Sequence, residues 1–143
     1  VQKEVVFSRF VEEIFHRGNL AALDQIFTPE ALIHDPGVEL RGLEALGPAI
    51  RGFRKAFPDL KITVEDQIAE GDRLAIRYRG EGTHRDEWHG IPARGARISY
   101  TGILIVRFEG DRIAEYWAQP DLLGLMQQLG AVPTSEPMTS GAA

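Results

Sequence analysis

The apolar positions change period near residue 60, and that change divides the chain into a helical first part and a stranded second part. Phe7, Phe10, Val11, Ile14 and Phe15 recur at helical steps, which predicts a helix with one buried stripe ending near Arg17, where Gly18-Asn19 supplies the stop. Asn19 is placed to cap a second helix whose stripe is Leu20, Leu23, Ile26 and Phe27, closed by Thr28-Pro29. A short strand, Ala31 to Asp35, ends at Pro36-Gly37. Leu43, Leu46, Ile50, Phe53 and Phe57 then return to helical spacing, giving a third amphipathic helix stopped before Pro58.

From Leu60 the pattern alternates. Leu60, Ile62, Val64 and Ile68 are expected on one face of a strand, with Lys61, Thr63, Glu65 and Gln67 on the other. After a turn at Gly71-Asp72, Leu74, Ile76 and Tyr78 continue as a second strand whose opposite face carries Arg73, Arg77 and Arg79. Residues 84 to 97 form a polar connection containing Gly90, Pro92 and Gly95. In the strand Ile98 to Phe108, the run Gly102-Ile103-Leu104-Ile105-Val106 is apolar on both faces, as a central strand should be. Glu109-Gly110-Asp111 turns into a last strand, Arg112 to Ala118, and a helix from about Asp121 to Leu129, capped by Gly130, closes the domain.

This order predicts an α+β domain over residues 1–132, with helices covering one face of a curved, mainly antiparallel sheet, and a disordered tail over 133–143. A sheet curled around helices makes a cone, and its apolar hollow, open at one mouth, would hold a small apolar molecule. Helices cover only one side of the apolar central strand, so a second copy of the chain is expected on the other, as a homodimer.

Composition narrows the chemistry. The 143 residues carry 16 Lys+Arg against 21 Asp+Glu, net −5, with no cysteine. Cysteine-based nucleophiles, disulfide scaffolds and cysteine zinc sites are excluded, and the mild negative charge offers nothing to nucleic acid or an anionic membrane. No run approaches the ~20 apolar residues of a membrane span. The start, Val1-Gln2-Lys3-Glu4, lacks a signal-peptide pattern, so the cytoplasm is the expected compartment. There is no Gly-rich phosphate loop and no nucleophile elbow around any serine. His16, His34, His84 and His89 lack the i, i+4 spacing of histidine metal motifs, so neither a metal nor an organic cofactor is expected.

Three places remain. His34 and Asp35 are strand neighbours, so one looks inward and the other outward. The connection Gly82-Thr83-His84-Arg85-Asp86-Glu87-Trp88-His89-Gly90-Ile91-Pro92 is longer than a hairpin needs and mixes imidazoles with an aromatic. Asp121 begins the last helix; it reads as an N-cap, or as an acid/base group if Trp117 and Pro120 desolvate it.

The order Ile33-His34-Asp35-Pro36, Ala56-Phe57-Pro58-Asp59-Leu60, Glu70-Gly71-Asp72-Arg73, Gly82-Thr83-His84, Arg107 to Trp117 and Asp121…Gln128-Leu129-Gly130 resembles the SnoaL-like polyketide cyclases, over roughly residues 5 to 130. The resemblance implies the cone-shaped α+β fold of the nuclear transport factor 2 (NTF2-like) superfamily. It also implies an enzyme in which Asp121 is acid and base in an intramolecular aldol condensation that needs no cofactor. His34 is the second catalytic candidate, and Trp88, His84, Tyr100, Trp117 and Asp35 are expected to line or orient the substrate. A ketosteroid-isomerase-like alternative would use Asp35 as base, but its oxyanion donors would fall on Phe10 and roughly Leu104, which cannot donate. An epoxide hydrolase would need an Arg-x-Asp on a strand, whereas Arg107-Phe108-Glu109 runs into a turn. A non-catalytic ligand-binding dimer would use the same cone with Asp121 as a plain cap.

Overall fold

The computed structural model describes residues 2–133; the expected disordered tail, apart from Pro133, lies outside the described residues. Helix α1 (Lys3–Arg9) continues as a π-helical stretch, Phe10–His16, in which the Arg17 amide bonds back five residues to the Glu12 carbonyl at 3.0 Å. Phe7, Phe10, Val11 and Ile14 are buried along it, as their spacing predicts. A single 3₁₀ turn, Leu20–Ala22, leads into α2 (Leu23–Ile26), and α3 spans Leu43–Ala56.

The six strands are β1 (Phe27–Asp35), β2 (Val38–Arg41), β3 (Lys61–Glu70), β4 (Arg73–Thr83), β5 (Arg97–Glu109) and β6 (Arg112–Pro120), in sheet order β2-β1-β6-β5-β4-β3. The last four form the antiparallel meander that the alternating pattern predicts. The sheet is curved and unclosed, and the helices fill its inner face. Helix α4 (Leu122–Gln128) packs on β5.

Three features depart from the sequence reading. Phe27 opens β1 instead of closing a helix, and Thr28-Pro29 lies within the strand at a register shift, where a residue without an amide proton is tolerated. β2, Val38–Arg41, is a strand where none was expected; it pairs antiparallel with β1, and although β1 pairs β6 in parallel, the sheet is mainly antiparallel as expected. Ile68 is not on the face of Ile62 and Val64. A bulge between Val64 and Asp66 inserts one residue, which reverses the parity and leaves Ile68 71% exposed.

On the inner face, Leu74, Ile76, Tyr78 and Gly80 of β4 lie opposite Val106, Leu104, Gly102 and Tyr100 of β5. Arg73, Arg77 and Arg79 face outward as expected, with Arg77 paired to Asp66 at 2.6 Å and Arg79 to Glu65 at 3.1 Å. Ile103 and Ile105 are 55% and 39% exposed on that outer face. Among the described residues, no helix is long and apolar enough to cross a membrane.

Candidate active site

Alternation along β1 decides which of His34 and Asp35 enters the cone. Ile33 pairs with Tyr116, and His34 with Trp117, whose ring stacks on the imidazole at 5.6 Å and 17°. Trp117 itself pairs with Ile105 on the outer face, with the Arg73 guanidinium 5.1 Å from its ring centre. His34, the second catalytic candidate, and Trp117, expected to line or orient the substrate, therefore face away from the cone. Asp35, one residue further, turns to the inner face.

The outer position gives His34 a fixed pair of partners. Its Nδ1 meets Glu39 Oε2 at 2.6 Å and its Nε2 meets Glu115 Oε2 at 2.7 Å. The Glu115 hydrogen bond, supported by Glu39, raises the His34 pKa above 6.5 against a smaller opposing effect of burial. Glu115 moves the other way, held low first by His34 and then by Arg107. The two carboxylates lie on opposite sides of the ring and do not converge on a common point; no group of three metal-ligating side chains exists among the described residues.

Asp35 is exposed, yet neighbouring protein still desolvates its carboxyl enough to raise its pKa above 3.8. Its negative charge reaches three tyrosines of the same inner face, Tyr78, Tyr100 and Tyr116. Each phenol is pushed up first by burial and then by neighbouring charge, so all three remain protonated donors at neutral pH. No hydrogen bond to the described protein ties any of these hydroxyls.

The tyrosines fit because glycines face them. A Cβ on Gly80 would stand 2.5 Å from the Tyr100 ring, and one on Gly102 would stand 2.5 Å from the Tyr78 ring. Each ring lies across the glycine opposite it on the neighbouring strand, and the two rings meet edge to face at 6.2 Å. The inner face beside Asp35 is thus lined by phenol rings, so it carries hydroxyls as well as apolar surface. Two recesses, of about 340 and 480 Å³, lie elsewhere: one between α2 and α3, the other along α1.

His84 is completely buried, its ring against Phe57 at 5.3 Å and 23°. Trp88 packs edge-on against Phe53 and Phe57 at 5.7 and 5.8 Å. Asp121 is exposed, and its Oδ1 accepts the Gly124 amide at 3.0 Å, so it does cap α4; Trp117, on the far face, does not desolvate it. The structure thus brings Asp35 and Tyr100 onto one inner face with Tyr78 and Tyr116, which the sequence reading did not single out. The available signal was the pair of strand-interior glycines, Gly80 and Gly102, each two residues from a tyrosine.

Comparison with known proteins places the chain in a family. The profile of the SnoaL-like polyketide cyclases matches residues 5–129, and the chain belongs to that family. It is similar to two aklanonic acid methyl ester cyclases: DnrD of Streptomyces peucetius, 33% identical over 114 residues (78% of this chain and 77% of the relative), and DauD of Streptomyces sp. strain C5, 34% identical over 116 residues (80% and 71%). Among solved structures it is similar to TsrD from Streptomyces laurentii, with a TM-score of 0.82 and 34% identity over 90% of this chain and 95% of that one. The fold and the relatives support a cyclase-type role.

Proposed function

We propose that this protein is a cofactor-independent acid/base enzyme that closes a ring in a small apolar carbonyl compound by intramolecular aldol condensation. One arrangement carries the reading: the desolvated carboxyl of Asp35 on the same inner face as three protonated phenols. Ring closure requires a base for the proton next to a carbonyl, donors for the enolate oxygen, and walls that fold the molecule on itself. Asp35 takes the proton, and Tyr78 and Tyr100 donate hydrogen bonds to the enolate oxygen. The enolate carbon attacks the second carbonyl carbon, forming the C–C bond, and the resulting alkoxide takes the proton back from the Asp35 carboxyl.

A second reading keeps the same reaction but gives the proton transfer to Asp121, as the family resemblance implies. It is favoured by position, since the Asp121 amide bonds to the Thr101 carbonyl at 2.8 Å, next to Tyr100, and only Oδ1 is engaged in capping.

The compound named for the relatives, aklanonic acid methyl ester, is the first substrate to try. Turnover by the wild type that falls ~10²–10⁴-fold in Asp35→Asn supports Asp35 as the base. A fall of that size in Asp121→Asn, with Asp35→Asn near normal, transfers the role to Asp121.

A further inference from the structure

β4 ends at Thr83, and just beyond it the His84 amide bonds to the Ala96 carbonyl at 2.9 Å and the Gly95 amide to the His84 carbonyl at 3.1 Å. The His84 ring turns into the interior and stacks on Phe57. It has no exposed surface, and both ring nitrogens lack a hydrogen-bond partner. A neutral imidazole carries one N–H donor and one acceptor nitrogen, and leaving both unmet in the interior is a real cost to the fold.

The neighbouring carboxylates do not meet this need. Asp59 is committed to the Thr83 amide and hydroxyl, both at 2.7 Å, and to Arg97 at 2.9 Å. Asp86 is committed to the Glu87 amide at 2.8 Å and to Lys55 at 3.3 Å. What surrounds the imidazole is aromatic: Phe57 beneath it, with Trp88 and Phe53 packed on Phe57. Trp88 belongs to a small folded flap closed by the Trp88–Ile91 bridge, with His89 and Gly90 both at positive φ.

We propose that His84 is a substrate-positioning residue of the ring-closing site, hydrogen-bonding a carbonyl or hydroxyl oxygen on a planar apolar ligand once the Trp88 flap lifts. The ligand's flat apolar part takes the place of Trp88 against Phe53 and Phe57, and its oxygen meets the imidazole. This rests on the reading of the inner face as the substrate site. Its test is equilibrium binding, so it stands or falls apart from whether Asp35 moves a proton.

The probes are 2-acetonaphthone, which carries a carbonyl, and naphthalene, which does not. Binding to the full chain is followed by tryptophan fluorescence and by the imidazole ¹⁵N signals. The ketone is expected to bind, to shift the His84 nitrogens, and to lose at least tenfold in affinity in His84→Phe, while naphthalene binds both proteins alike. His84→Phe keeps the stack on Phe57 and removes the unmet nitrogens, so its melting temperature should be no lower than that of the wild type. His84 signals that do not move at saturating ketone, equal ketone affinity in His84→Phe, or no saturable binding by the wild type would each overturn the proposal. A melting temperature clearly lowered in His84→Phe would also overturn it, because it would assign the imidazole a structural partner.

Discussion

The phenol ring of Tyr78 lies directly across Gly102, so that a Cβ on the glycine would stand 2.5 Å from both Cζ and the hydroxyl oxygen of the tyrosine. The reverse pair, Tyr100 across Gly80, is its neighbour on the same two strands. A glycine in a strand interior ordinarily weakens the strand, and here the loss is offset by the aromatic ring that covers it.

Replacing Gly102 by alanine should therefore push the Tyr78 ring out of place. Tyr78 is buried and packed edge to face with Tyr100, so it has little room to yield. We expect a loss of about 1–3 kcal/mol, the usual cost of overpacking a tight interior. Tyr78→Leu alone should destabilise by leaving space, whereas Gly102→Ala combined with Tyr78→Leu should cost less than the two single changes added together. Thermal unfolding of the four proteins measures the coupling.

Asp35 should show opposite effects on stability and turnover. Its pKa is raised by desolvation above 3.8, so the fold prefers the protonated carboxyl. The stability it contributes is fully present below 3.8 and is lost as pH rises through the raised folded value. Asp35→Asn should then match the wild type in strongly acid solution and become the more stable protein toward neutrality. Its turnover should fall ~10²–10⁴-fold, and the acid limb of the wild-type rate profile should have its midpoint above the ordinary carboxylate value. Melting curves and rates on a common pH series test both statements.

Much of this was legible from the sequence. The row Leu74, Ile76, Tyr78 needed only an unbroken period of two, and α3 only its stripe from Leu43 to Phe57. Ile68 escaped because one bulged residue reverses every side chain beyond it, and a bulge leaves no mark in hydrophobicity. The His34-Asp35 pair showed that the two residues face opposite ways but not which faces in, since that depends on Tyr116 and Trp117 from a strand far along the chain. Tyr78 gained significance only beside Gly102, again a partner fixed by register.

The His34 cluster sets a second pH dependence, of opposite origin. Because the Glu115 and Glu39 contacts raise the His34 pKa above 6.5, its stabilisation is fully present below 6.5 and disappears as pH rises through the folded value. His34→Gln keeps a polar side chain but cannot carry the charge. It should be less stable than the wild type at pH 6, by about 1 kcal/mol for a partly exposed charge-assisted pair, and should approach it at pH 9. An unchanged gap across that range would show that charge plays no part.

The outer sheet face should be the contact between two copies of the chain. Ile103 and Ile105, 55% and 39% exposed, lie side by side on β5 with Trp117 opposite Ile105 on β6, and the charged pairs Arg77–Asp66 and Arg79–Glu65 border them toward the β3 edge. An apolar centre with a charged rim on one side is the anatomy of a protein interface. A two-fold contact would place this patch against its own copy and remove the isoleucines from water. Ile103→Arg puts a charge into each half of that contact, so the two copies would oppose like charges at its middle. At micromolar concentration, light scattering should give the wild type twice the mass of the 15.9 kDa chain and give Ile103→Arg the mass of one chain, with little change in its helix and strand content. A wild type that already runs at the single-chain mass would mean that these isoleucines face water and that the dimer does not form.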